Sequence, residues 1–284
     1  VIASSHADID NLGIMGAAGA AGAGGAGISI NEITVNVSSK GENADVLADT
    51  LEIAATTSND IDTIGVGVAG SGNYALAGST ALNTVGGAVE ALLKNSDVTV
   101  DGAAAVHAES NDVIGTYAGQ AAGSGSAAAG VSVAISERTG TTSARIEGGA
   151  ITETGATESV IEIAGAVSDD DINSDVVEEV STGASLEEKR EKETVSGVSV
   201  SAVSTAAYKT LAINGAGAAT AGLAGSGNSV EHGGKTEALV QGAKITAKED
   251  IEIRAGERFY FAQHDRPCRH GWCRYWGVPA DLNA

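Results

Sequence analysis

Ala69-Gly70-Ser71-Gly72, Ala122-Gly123-Ser124-Gly125 and Ala224-Gly225-Ser226-Gly227 are one phrase met three times. The starts differ by 122 − 69 = 53 and by 224 − 122 = 102, which is twice 51, so a unit of about 51 residues is expected to recur along the chain. A period of that length predicts a stack of repeats in which each unit touches chiefly its neighbours. Function then has to be sought on the surface of a scaffold rather than in one closed pocket.

Working outward from the phrase, each unit is expected to open on a short strand ending in alanine, at residues 1–3, 51–55, 104–108, 160–164 and 251–255. The Gly/Ala tract follows, then an alternating run such as Val131-Ser132-Val133-Ala134-Ile135. Alternation with period two means strand. Val131, Val133 and Ile135 are accordingly expected to point inward, and Ser132 and Ser136 outward. The units close alike, with Ala91-Leu92-Leu93 before Val98, Ala144-Arg145-Ile146 before Ile151, and Ala238-Leu239-Val240 before Ile245. Short β-segments parted by Gly, Asn and Asp, with no sustained helical period, predict an all-β parallel β-helix with roughly two coils per unit. Small inward residues allow backbones to approach closely.

Composition agrees with a thin core. Tyr, Trp and Phe number 5, 2 and 2, so burial has to come from Val, Ile, Leu and Ala. The net charge of −21 excludes nucleic acid and anionic membranes as partners. Residues 12–30 and 213–230 are uncharged and long enough to resemble membrane helices, but they are mostly Gly and Ala, so no membrane insertion is expected. The chain starts at Val1 with no secretion signal and shows no capping unit, and it reads as an internal piece of something longer.

Residues 168–194 break the repeat with Asp169-Asp170-Asp171, Glu178-Glu179 and a run from Glu187 to Glu193. They read as a solvated acidic excursion on one face of a repeat region spanning 1–256. Asp169, Asp170, Asp171 and Asp175 are calcium candidates by carboxylate density alone, since neither an EF-hand spacing nor a Gly-rich calcium repeat is present. Gly22 to Gly27 and Gly65 to Gly70 match G-x-G-x-x-G, but no amphipathic helix follows, so nucleotide binding is not expected. His6, His107 and His232 are isolated in the sequence, and no catalytic or cofactor-binding residue is assigned.

The final residues, 257–284, hold both Cys, both Pro, both Trp and both Phe. Cys268, His270 and Cys273 make a poor zinc signature, with no second ligand pair. With Arg taken as CGN, the codons for Arg269 through Gly277 read one base later would give Gly (if Arg269 is CGG), Met or Thr, a small residue, Gly, Ala or Val, a small residue, Thr or Ile, and Gly. A Gly/Ala tract is due there, because Ala55 precedes Ala69, and Ala108 precedes Ala122, by the same 14 residues that separate Ala255 from 269. The tail is therefore read as the product of a shifted reading frame.

The strand openings, the Ala-Gly-Ser-Gly tracts, the Val131-Ser132-Val133-Ala134 run and the Ala-x-Ile/Val closings of residues 1–256 resemble the repeat regions of large secreted adhesins of Gram-negative bacteria, the filamentous-haemagglutinin and leukotoxin-like proteins. The resemblance implies a right-handed parallel β-helix, exported through an outer-membrane partner and held outside the cell or on its surface. It also implies a non-catalytic role, in which binding regions are presented to a host-cell or matrix surface. A carbohydrate-active enzyme on a β-helix and a self-assembling Gly/Ala-rich fibre are the alternatives.

Overall fold

A computed structural model describes residues 1–167, Leu186 and 190–261. The described chain is all-β and its main sheets are parallel. One sheet, here sheet A, runs in the order β1 (Ile2–Gly19), β4 (Leu51–Ser71), β6 (Ala104–Ser124), β11 (Val198–Ala218) and β15 (Ile251–Phe261). Sheet B is centred on β5 (Tyr74–Val100), which pairs on one side with β2 (Gly22–Glu42) and β3 (Asp45–Ala48). On its other side lie β7 (Ala127–Arg138) and β8 (Thr141–Glu153), followed by β12 (Ala221–His232), β13 (Lys235–Gln241) and β14 (Lys244–Thr246).

Register shows how the sequence builds this arrangement. Ala3, Ala55, Ala108, Ala202 and Ala255 stand in one column of sheet A, and Ala91, Ala144 and Ala238 in one column of sheet B. Neighbours in the first column are 52, 53, 94 and 53 residues apart by their numbers. The expectation of two turns of chain per repeat is thus corrected: a strand pairs with its equivalent a whole repeat away, because one pass through sheet A and back through sheet B uses up the repeat.

The step of 94 exceeds 53 by 41 residues, the length of an insertion between the third and fourth repeats. It also overturns two readings of the sequence. Ala216, not Ala224, is the partner of Ala122, and Ala224 faces Gly130 within β12, so the third Ala-Gly-Ser-Gly lies outside the common slot. Residues 160–164 do not open a repeat either. They fall mostly in β9 (Ile161–Val167), which pairs antiparallel with β10 (Arg190–Val195), and the opening slot belongs to Val198-Ser199-Val200-Ser201-Ala202.

Side chains inside the repeat are graded along the strands. Near the strand openings the core is aliphatic, with Ile53, Val106 and Val200 in one column facing Leu93, Val98 and Ile146. Each such residue contributes about 2 kcal/mol on burial. At the far end the two sheets come too close for side chains. A Cβ on Gly65 would lie 2.7 Å from Thr80 O, one on Gly25 would lie 2.5 Å from Val68 O, and one on Gly67 would overlap Gly78 O.

This approach reverses the expected orientation of the alternating runs. Ser132, Ala134 and Ser136 are buried, while Val131 is 57% exposed, because only small side chains fit between the sheets and the valines are turned out. The turn after the second pass needs a left-handed residue, which L side chains other than Asn and Asp rarely adopt. Asn43, Asn95, Gly148 and Gly242 fill it at φ between 46° and 69°, each one residue beyond the column Glu42, Lys94, Glu147 and Gln241.

Strand β15 continues past Gly256 to Phe261, with Phe261 opposite Tyr208, so the sheet extends beyond the boundary drawn at residue 257 from composition. Cys268, His270 and Cys273 lie outside the described residues.

Gly67→Val should lower the unfolding free energy by more than about 3 kcal/mol, since it forces the sheets apart. Gly70→Val, where an added Cβ meets nothing within 4 Å, should change it by no more than about 0.5 kcal/mol. Urea denaturation of the two variants checks the contrast.

Candidate functional site

Two clusters of polar side chains were scattered in the sequence and are brought together by register. The first is a spine inside the repeats, where the aliphatic core gives way to the Gly/Ala end. Asn11, Thr63, Thr116 and Thr210 occupy its sheet A column, facing Asn31, Asn83 and Ser136 of sheet B. Asn11 Nδ2 donates to Asn31 Oδ1 at 2.7 Å and Asn83 Nδ2 donates to Thr116 Oγ1 at 3.0 Å, with Thr63 bonded to both Asn31 and Asn83. Thr116, Ser136 and Thr210 extend the chain of hydroxyls at 2.8 Å per step. Buried polar groups of this kind are tolerated because their partners are in place.

Below the spine lies Arg138, 1% exposed, whose Nε donates to Asp112 Oδ2 at 2.5 Å and whose Nη1 donates to Glu257 Oε1 at 3.0 Å. Tyr208 Oη meets His232 Nδ1 at 2.6 Å, and His232 Nε2 meets Glu257 Oε1 at 2.9 Å. The hydrogen bond from His232, aided by the Arg138 guanidinium, holds the Glu257 carboxyl below its ordinary range. This network is fully interior at Arg138 and Tyr208 and serves cohesion: a buried guanidinium is stable only when paired and hydrogen-bonded.

The second cluster lies on the outer face of sheet A, in a cleft of about 310 Å³ beneath the β9–β10 hairpin. Glu52, His107, Glu109 and Arg190 line it. The hairpin packs Ile161, Ile163 and Val195 on Ala103 and Ala105. Arg190 pins it, with Nε 3.1 Å from Glu109 Oε1, Nη2 donating to Asn111 Oδ1 at 2.7 Å and Nη2 donating to Thr205 Oγ1 at 2.6 Å. Arg254 ties the same hairpin to β15 through Glu193.

His107 is 7% exposed, and burial lowers its pKa against the pull of Glu52 and Glu109. Its Nδ1 has no hydrogen-bond partner among the described residues, and its Nε2 is 3.8 Å from Glu52 Oε1, outside hydrogen-bond reach. An imidazole beside carboxylates supplies parts of an acid–base pair, and Arg190 fixes the hairpin over it through Glu109.

The structure places the sequence candidates as follows. His6 is exposed, whereas His107 and His232 sit in the two clusters. The calcium candidates Asp169, Asp170, Asp171 and Asp175 lie outside the described residues. The excursion of 168–194 is not wholly outside the packed body: its described end, from Arg190, pairs with β9, and Leu186 packs on Val113 and Ala207. Arg190 was hidden in a charge run, and no sequence signal marks it as buried. Among the described residues no group of three or more His, Cys, Asp or Glu is arranged to hold a metal ion. No protein-family model, curated protein or solved structure matches the chain.

Beside the cleft, register stacks Asp8 on Asp60 and Asp10 on Asp62. Burial, then the charges of Asp62 and Asp8, push the Asp60 pKa up to about 7, with Lys209 opposing. The unfolded chain gives up this proton near 3.8, so between that pH and about 7 the folded state binds more protons and stability falls as pH rises. Asp60→Asn should therefore flatten this part of the profile and stabilise the protein at pH 8 by about 2 kcal/mol. Urea midpoints of both proteins at pH 5 and pH 8 measure the difference.

Proposed function

We propose that the chain is a structural segment of a bacterial secreted or cell-surface filamentous adhesin, built as a right-handed parallel β-helix with one coil per repeat. The observation that carries this reading is the register: the same columns run through both sheets in steps of one repeat, and an inserted segment leaves them aligned. A stack of that kind grows by adding repeats without closing around a pocket. Its role is to hold binding regions away from the cell, toward a host-cell or matrix surface, and export of the parent protein runs through an outer-membrane partner. The resemblance of the repeats to filamentous-haemagglutinin and leukotoxin-like proteins supplies the cellular setting.

The coil reading is tested by deletion. Removing residues 51–103 joins Thr50 to Ala104, the partner of Leu51, and keeps every column aligned. The shortened protein should retain its far-ultraviolet strand signal and a cooperative melt. Removing residues 51–76 shifts the register by half a repeat and should abolish both; equal behaviour of the two deletions contradicts one coil per repeat.

The adhesin reading is tested on surfaces. Beads coated with the protein should adhere to host cells or matrix, and the protein should show no turnover of polysaccharides. Polysaccharide cleavage that disappears in His107→Ala would move the assignment to a carbohydrate-active enzyme using the hairpin cleft.

A further inference from the structure

Residues 11–31, 63–83, 116–136 and 210–230 contain no Asp, Glu, Lys, Arg or His. Each stretch starts in the spine column of sheet A, runs to the turn and returns to the facing column of sheet B. Stacked, the four make a wedge two sheets thick whose inside is mostly Gly, Ala and Ser, with the spine at its base and the amides of Gln120 and Asn214 between the sheets. Its outside is mostly apolar, with Ile14, Val68 and Ile213 exposed on sheet A and Ile28, Leu76 and Leu223 exposed on sheet B, while the terminal strand β12 also exposes Ser226, Asn228 and Ser229. The usual distribution is inverted, and it is the distribution of strands whose outer solvent is hydrocarbon.

Charge returns at one level on both faces. Asp10, Asp62 and Lys209 directly precede the spine on sheet A, and Glu32, Glu137 and Glu231 directly follow it on sheet B. From spine to turn is about nine residues, or about 30 Å of strand, close to the thickness of a bilayer's hydrocarbon core. Polar residues reappear at the tips, at Ser71, Asn73, Ser124, Ser126 and Thr220, where a headgroup layer would meet them.

The geometry points to a lipid partner: the wedge enters the hydrocarbon of a zwitterionic bilayer, tips leading, as far as the charged level beside the spine. The inference goes beyond the scaffold role and does not depend on it. Lipid is favoured over a second copy because both outer faces are mostly apolar, and a copy seated on one sheet leaves the other wet. It is compatible with the net charge, which opposes anionic lipid only. Among the described residues no helix is long and apolar enough to cross a membrane, so the wedge would enter as strands. Inner strands already pair their backbone groups along the ladder, while the outermost arms keep one open row, which in hydrocarbon requires inserted copies to pair edge to edge.

The test is flotation of the whole chain with phosphatidylcholine vesicles at physiological salt. Wild-type protein and Leu47→Asp, whose site is 83% exposed but lies on the charged side of the spine, should float with the vesicles. Leu76→Asp and Leu223→Asp, exposed on the wedge, should lower the floating fraction at least tenfold with an unchanged far-ultraviolet spectrum. The proposal is overturned if wild-type protein stays with the lipid-free fraction, or if both wedge variants float as wild type does. It is also overturned if the wedge variants abolish self-association of a protein that never binds vesicles, which assigns the faces to a second copy.

Discussion

Between Gly67 and Gly78 the two main sheets meet backbone to backbone, with no room for a β-carbon. The layout of the outer half of each repeat follows from this approach. Larger apolar side chains on the strands mostly face outward, and those facing inward are mainly hydrogen, methyl and small hydroxyl or amide groups, with the longer Gln120 lying over Gly130. Where the sheets diverge toward the strand openings, the same strands can bury Ile53, Leu93 and Val200 in the ordinary way. One strand therefore passes from a dry aliphatic core, through a polar seam, into a slot of near-contact backbones.

The polar seam is costly unless complete, since a lone amide or hydroxyl in such a position loses about 1–3 kcal/mol of hydration. Completeness depends on register. A slip of one residue turns Asn83 and Thr116 outward and brings Leu82 and Tyr117 into the gap, so the seam penalises misaligned stacking. Arg138 reinforces this from below by binding Asp112 of one strand and Ser204 of the next in sheet A.

Much of this was legible in the chain. The 53-residue step from Ala69 to Ala122, four of the five alanine-ended openings (all but 160–164) and the Ala91, Ala144 and Ala238 closings coincide with columns of the sheets. Period two was read correctly as strand, but its phase was not. Hydrophobic alternation alone assigns Val131 to the interior, and only the spacing of the facing sheet, a tertiary property, sends it outside. The third Ala-Gly-Ser-Gly misled because a Gly/Ala-rich chain repeats short phrases by composition. The true fourth opening, Val198 to Ala202, was displaced by the inserted segment, whose Val160 to Ala164 offers the same alanine-ended pattern nearer the expected spacing. The cleft was not legible: Glu52, His107, Glu109 and Arg190 come from three strands, two of them a repeat apart, and meet only through pairing and the inserted hairpin.

The inter-repeat ladders have a mechanical consequence. A pull on the chain ends does not load all the paired residues between β4 and β6 together; it peels the terminal strand away one hydrogen bond after another. Each repeat released in this way frees about 180 Å of extended chain while removing only about 5 Å of stack. Such a body yields in steps at nearly constant force and absorbs work in proportion to the number of repeats. The hairpin clamp formed by Arg190 and Arg254 bridges β6, β11 and β15 and gives this sequence of releases one reinforced stage.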